Sequence, residues 1–116
     1  MSRTLALTGS TGFIGATLLR KLTRAGWKVH ALHRHSVSRF RLDAGEGAIE
    51  WVRGSLEDPE SLVRLVRGAE VVVHCAGAIR GATADEFRKV NVEGVMRLAD
   101  ASQKARPRPR VLLISS

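Results

Sequence analysis

With 116 residues, 44% of them hydrophobic, the chain is long enough for one domain with a packed core and too short for two. No apolar run approaches the roughly 18 residues of a membrane span, and no charged-then-apolar leader opens the chain, so a cytoplasmic protein is expected. The formal charge of +8 raises the possibility of a nucleic-acid surface, while the single cysteine, Cys75, excludes an intrachain disulfide and leaves no zinc-ligand set.

The chain opens on Thr4-Leu5-Ala6-Leu7-Thr8, an apolar strand that runs into Gly9-Ser10-Thr11-Gly12-Phe13-Ile14-Gly15 and then into a helix. The three glycines, three apart, have separate steric roles. A side chain at Gly9 would obstruct the chain reversal, one at Gly12 would block a pyrophosphate, and one at Gly15 would hold the helix off the sheet. The helix starting near Gly12 points its unpaired amides and positive dipole end at the phosphates, so no lysine is needed. A Gly-rich turn also occurs as a plain connector; the preceding strand and the amphipathic helix that follows favour a dinucleotide cradle. That helix carries Ile14, Leu18 and Leu22 on its expected inner face and stops at Gly26.

Strand two is predicted at Lys28-Val29-His30-Ala31-Leu32-His33, and residues 35–48 read as a loop or short irregular helix before strand three at Ile49-Glu50-Trp51-Val52. Asp58 and Pro59 supply an N-cap and a first-turn proline for a short helix through Leu62, Leu65 and Val66, closed by Gly68. Glu70-Val71-Val72-Val73-His74-Cys75, a continuous β-branched run, reads as a central strand buried on both faces. Thr83-Ala84-Asp85-Glu86 has capping-box spacing, and Phe87, Val90, Gly94, Leu98, Ala101 and Ala105 form one face of a long helix. Arg106-Pro107-Arg108-Pro109-Arg110 makes a stiff connector to strand five, Val111-Leu112-Leu113-Ile114-Ser115.

Alternation of strand and helix gives the class α/β: a Rossmann-like doubly wound parallel sheet in the order 3-2-1-4-5, its ligand crevice above the carboxyl ends of strands one and four. The basic residues, mostly arginine, fall on the outer faces of separate helices without an aromatic platform. Solvated helix faces therefore explain the charge better than nucleic-acid binding, and no membrane partner is expected.

The chain resembles the extended branch of the short-chain dehydrogenase/reductase superfamily, the NAD(P)-dependent epimerases, dehydratases and reductases. Thr8-Gly9-Ser10-Thr11-Gly12-Phe13-Ile14-Gly15 looks like that branch's TGxTGFIG signature, Val73-His74-Cys75-Ala76-Gly77 like its HxAG turn, and Asn91-Val92-Glu93-Gly94 like its NVxG element; strand five ends in the family's Ser-Ser. The resemblance implies that Gly9, Ser10, Thr11, Gly12, Phe13, Ile14 and Gly15 form the pyrophosphate site. It places Cys75, Ala76 and Gly77 beneath the cofactor near its ribose, and has Asn91 brace strand four and approach the nicotinamide side. The family's GDxxD element appears as Gly54-Ser55-Leu56-Glu57-Asp58, with Ser55 where an aspartate usually addresses the adenine and Leu56 beside it.

An NAD site wants an acidic group about 20 residues past the glycines, where this chain offers Arg34. A guanidinium suits the 2′-phosphate of NADP, with Ser36 or Arg39 assisting, so NADP is expected over NAD; a solvated strand-end arginine is the bland alternative. His33 and His35 have no third metal ligand. The family's chemistry uses a serine or threonine on the substrate oxygen, with a tyrosine and a lysine in YxxxK. Ser116 aligns with the substrate serine, and the chain has no tyrosine. The expectation is therefore an incomplete NAD(P)-binding Rossmann domain over residues 1–116, truncated after strand five and not catalytic as given. A small-molecule substrate belongs to the parent protein, and self-association through the strand-five edge is expected. A stand-alone noncatalytic nucleotide-binding or redox-sensing module is the alternative.

Overall fold

A computed structural model describes residues 3–10, 12–34, 48–75 and 83–114, apart from the side chains of Phe87 and Val90. In chain order the elements are β1 (Thr4–Thr8), α1 (Phe13–Arg24), β2 (Lys28–His33), β3 (Ile49–Arg53), α2 (Pro59–Val66), β4 (Val71–Cys75), α3 (Ala84–Lys104) and β5 (Arg110–Ile114). The five strands form one parallel sheet in the order β3-β2-β1-β4-β5, as the alternation of elements requires. Right-handed crossovers that leave β1 in opposite directions put helices on both faces and meet at the β1–β4 junction.

Each face has its own core. On one, Leu19 of α1 packs with Leu5, Leu7, Val29, Ala31, Val73 and Cys75. On the other, Leu62, Leu65 and Val66 of α2 and Leu98 and Ala101 of α3 cover Ala6, Leu32, Val52 and Val72. β1, β2 and β4 are buried nearly throughout because both faces are covered, and in β4 this shows in the sequence as a continuous β-branched run.

The short helices end and begin where side chains can do the capping. Asp58 accepts from the Glu60 amide at 3.2 Å with Pro59 at the first helical position, and Thr83 and Glu86 form a reciprocal capping box. Gly26 and Gly68 take positive φ (95° and 75°) just past α1 and α2. One expectation needs correction: α1 buries Gly15 and Leu19, with Leu18 and Leu22 partly covered, while Ile14 is 44% exposed. In the first turn it is Gly15 that lies against the Gly9 carbonyl, while Phe13 and Ile14 stay on the exposed side.

Candidate functional site

The β1–α1 turn lies at the carboxyl end of the sheet. Gly9 has φ 69°, and a Cβ there would stand 2.6 Å from the Cys75 carbonyl oxygen. Only glycine allows β4 to approach this closely. A Cβ on Gly15 would overlap the Gly9 carbonyl, so this position sets how tightly α1 packs against the turn. Gly12 differs from both. Among the described residues a Cβ there would meet only the Gly9 oxygen at 3.5 Å, an ordinary contact, so none of them demands a glycine at that position.

Gly12 is also the N-cap of α1, and that end has neither a side-chain cap nor an acidic residue in its first turn. The first bond back to the cap comes from Ala16, whose amide donates to the Gly12 carbonyl at 2.8 Å. The amides of Phe13, Ile14 and Gly15 precede that bond and have no helical acceptor. Both other helices carry side-chain caps. The turn is thus an exposed cluster of donors at the positive end of a helix dipole, with a gap at Gly12 for an anion to approach. The Phe13 ring is 90% exposed beside it.

Around this turn, Ser10 is buried and its hydroxyl donates to the Leu32 carbonyl at 3.0 Å, fastening the turn to the end of β2. Arg34 follows one residue beyond β2, exposed and without a carboxylate partner among the described residues. Its neighbour His33 is buried edge-on against Trp51, with ring centroids 5.7 Å apart. Among the described residues no cluster of three metal-ligating side chains occurs.

The segment after β3 is held by a residue the sequence did not flag. Ser61, fully buried, accepts from the Ser55 amide at 3.2 Å and turns its own hydroxyl toward the carbonyls of Ser55 (3.1 Å) and Asp58 (2.8 Å). A Cβ on Gly54 would overlap Ser61, so the two positions are matched. The Ser55 hydroxyl accepts from the Glu57 amide at 3.2 Å, tightening the same turn. Leu56 packs over Gly94 of α3, where a Cβ would stand 3.1 Å from the leucine tip. Asn91 lies one turn earlier on α3, half-buried, on the side of the helix that carries Gly94 and Leu98.

Beneath the turn, Thr8 and His74 face each other across β1 and β4. The Thr8 hydroxyl pairs with His74 Nδ1 and accepts from the Cys75 amide at 3.3 Å. His74 Nε2 is buried without a partner among the described residues. Burial holds the His74 imidazole below its ordinary pKa and pushes the Cys75 thiol up, so both sit neutral at the crevice floor. The structure therefore gathers Gly9, Ser10, Gly12, Phe13, Ile14, Gly15, Arg34 and Cys75 at the carboxyl ends of β1, β2 and β4, and Ser55 and Leu56 just past β3. Thr11, His35, Ser36, Arg39, Ala76, Gly77 and Ser116 lie outside the described residues.

Residues 5–116 match the model of the NAD dependent epimerase/dehydratase family. The chain is 40% identical over 113 residues to a ceramide reductase from Caulobacter vibrioides, covering 97% of this chain and 34% of that protein. It is 36% identical over 115 residues to sterol demethylase protein B from Methylococcus capsulatus, again covering 97% of this chain and 34% of the relative. The chain thus spans about a third of the length of these curated relatives. A mutant uronate dehydrogenase from Agrobacterium tumefaciens, solved in complex with NAD, shares the fold with a TM-score of 0.75 at 22% identity, over 100% of this chain and 42% of that one.

Proposed function

Because the chain belongs to the NAD-dependent epimerase/dehydratase family, we propose that residues 1–116 are the cofactor-binding domain of an NADP(H)-dependent oxidoreductase. The observation that carries this reading is the open Gly12 position above an uncapped helix start. The fold needs a glycine at 9 and 15 for its own packing, whereas no described residue fills the space at 12, which suits a ligand that comes from outside. Residues that hold a diphosphate are present and a nicotinamide dinucleotide fits them.

The chain's own part is binding and orientation. The amides of Phe13, Ile14 and Gly15 donate to the diphosphate, and the Ser10–Leu32 bond keeps the turn in register with the ribose end at Arg34. Arg34 favours NADP over NAD, because a guanidinium makes paired, charge-assisted bonds to a 2′-phosphate and offers nothing to two ribose hydroxyls that an acid would not do better. Ser55 and Leu56 edge the adenine, and the neutral pair at Cys75 and His74 keeps the floor of the crevice free of competing charge. Asn91 braces the nicotinamide end from α3. When bound, the nicotinamide supplies hydride-transfer chemistry.

The name of the 40% identical relative, a ceramide reductase, favours reduction of a carbonyl carbon as the reaction of the whole protein. With no tyrosine in its 116 residues, this chain contributes no acid/base group of the family's kind. Among the described residues no helix is long and apolar enough to cross a membrane, and a soluble cytoplasmic protein is the reading we adopt. The edge strand β5, with Val111, Leu112 and Leu113 exposed, is the proposed self-association surface.

Titration with NADPH and with NADH, followed by nicotinamide fluorescence, tests the cofactor. Saturable binding with NADPH tighter is expected, and Arg34→Asp should reverse the order. Absence of binding to either at millimolar concentration would remove the proposal.

A further inference from the structure

A second concentration of positive charge lies along β2 and β3, in a groove that runs from Thr4 and Lys28 at the amino ends of the strands to Arg53 at the carboxyl end of β3. The groove has a volume of about 570 Å³, between the outer face of β2 and β3 and the last turn of α2, and Thr4, Lys28, His30, Glu50, Arg64 and Arg67 are among the residues that line it. Thr4 is five residues before Gly9 along the same strand, so the Thr4 end of the groove is roughly 16 Å from the glycine turn at 3.3 Å per residue. The size is within the range of small-molecule sites.

Its floor is prearranged. His30 and Glu50 sit side by side in the β2–β3 register, and the His30 ring is 8% exposed. Nδ1 lies 3.0 Å from the Leu65 carbonyl and Nε2 lies 3.0 Å from Glu50 Oε2. Lys28 reaches the same carboxylate only at 4.0 Å. One carboxylate is thus shared by two groups, while Arg64 and Arg67 have no carboxylate partner among the described residues. Arg64 is held only by the Arg53 carbonyl, at 3.3 Å. Cations outnumber acids in the groove, and the guanidinium groups of Arg53, Arg64 and Arg67, none with a carboxylate partner among the described residues, are available for planar, paired contacts to an oxyanion.

We propose that the groove of Lys28, His30, Glu50, Arg64 and Arg67 binds a multivalent phosphate, separately from the dinucleotide turn. Arg64 and Arg67 make the principal contacts, Lys28 adds a third positive charge, and Glu50 limits affinity by opposing the ligand. Two sources share that chemistry: a free phosphorylated metabolite and the phosphorylated headgroup of a lipid.

Inorganic tripolyphosphate is the probe, titrated into the full chain and followed by calorimetry and by amide shifts in NMR. Saturable binding is expected, with shifts at residues 28, 30, 50, 64 and 67. Arg64→Gln with Arg67→Gln should weaken it by roughly tenfold or more while leaving NADPH binding and the circular dichroism spectrum unchanged. Glu50→Gln should tighten it several-fold, an effect in the opposite direction that a folding defect would not produce. Sedimentation with phosphoinositide vesicles that depends on Arg64 and Arg67 identifies the headgroup as the source, and tripolyphosphate binding without sedimentation identifies a free phosphate. Shifts confined to residues 9–15, no saturable binding of tripolyphosphate, or binding of duplex DNA alone would overturn the proposal.

Discussion

Gly12 and Gly15 sit three residues apart and answer to different constraints, which substitutions can separate. Gly15→Ala forces a methyl into the Gly9 carbonyl and should cost about 1–3 kcal/mol or more of stability, read by urea denaturation. Gly12→Ala should leave the urea midpoint near the wild-type value and weaken NADPH binding sharply, because its methyl enters only the crevice. Equal loss of stability in both would contradict the cofactor role of Gly12. The His74 imidazole gives a pH signature. Its folded pKa is lowered from 6.5 by burial, so below 6.5 the unfolded chain takes up a proton that the folded chain resists. Its contribution is complete above 6.5 and is lost as pH falls through the lowered value. Stability should therefore drop as pH falls below about 6.5, and His74→Gln should flatten that slope. The packing constraints at Gly9 and Gly15 were legible because each follows from a strand, a turn and a helix in sequence. The Thr8–His74 pair was not, since its members are 66 residues apart and no local pattern marks which histidine of a strand will be buried.

The helices show which local signals are strong enough to survive packing. Asp58 and Thr83 cap α2 and α3 as their spacing indicates, because a capping side chain acts within three residues of itself. Thr83→Ala should lower stability by about 1 kcal/mol in urea denaturation and leave cofactor affinity nearly unchanged. The inner face of α1 was less legible: a four-residue repeat that includes Ile14 does not register that Gly15 lies against the Gly9 carbonyl, and the chain buries Gly15 and Leu19 instead. Ser61 was missed for a related reason. A serine inside a short helix looks like a solvent-facing residue until the loop that wraps back on it is in view. Ser61→Ala would leave the Ser55 amide without its acceptor, and a loss of about 1–3 kcal/mol is expected together with weaker adenine binding. NADPH titration alongside denaturation separates the two effects.

The sheet order was legible in full because connection handedness and the alternation of elements leave few arrangements for five parallel strands. Residues 35–47 and the segment from Ala76 to Ala82, on which part of the sequence reading falls, lie outside the described residues. β4 and β5 show how position overrides composition. Both are apolar runs, yet β4 is buried in the centre while Leu112 and Leu113 of β5 are 56% and 57% exposed at the edge. Concentration-dependent light scattering is expected, and Leu113→Lys should suppress it without lowering the urea midpoint. The bond from Ser10 to the Leu32 carbonyl has a broader consequence. On the proposed cofactor reading it acts as a fixed ruler between the phosphate contacts and the residue that would test the sugar. Exchanging the amino acid at position 34 would then alter what the far mark reads while the spacing stays the same, so on that reading the preference between two related coenzymes is expected to be retunable at one codon with the scaffold left as it is.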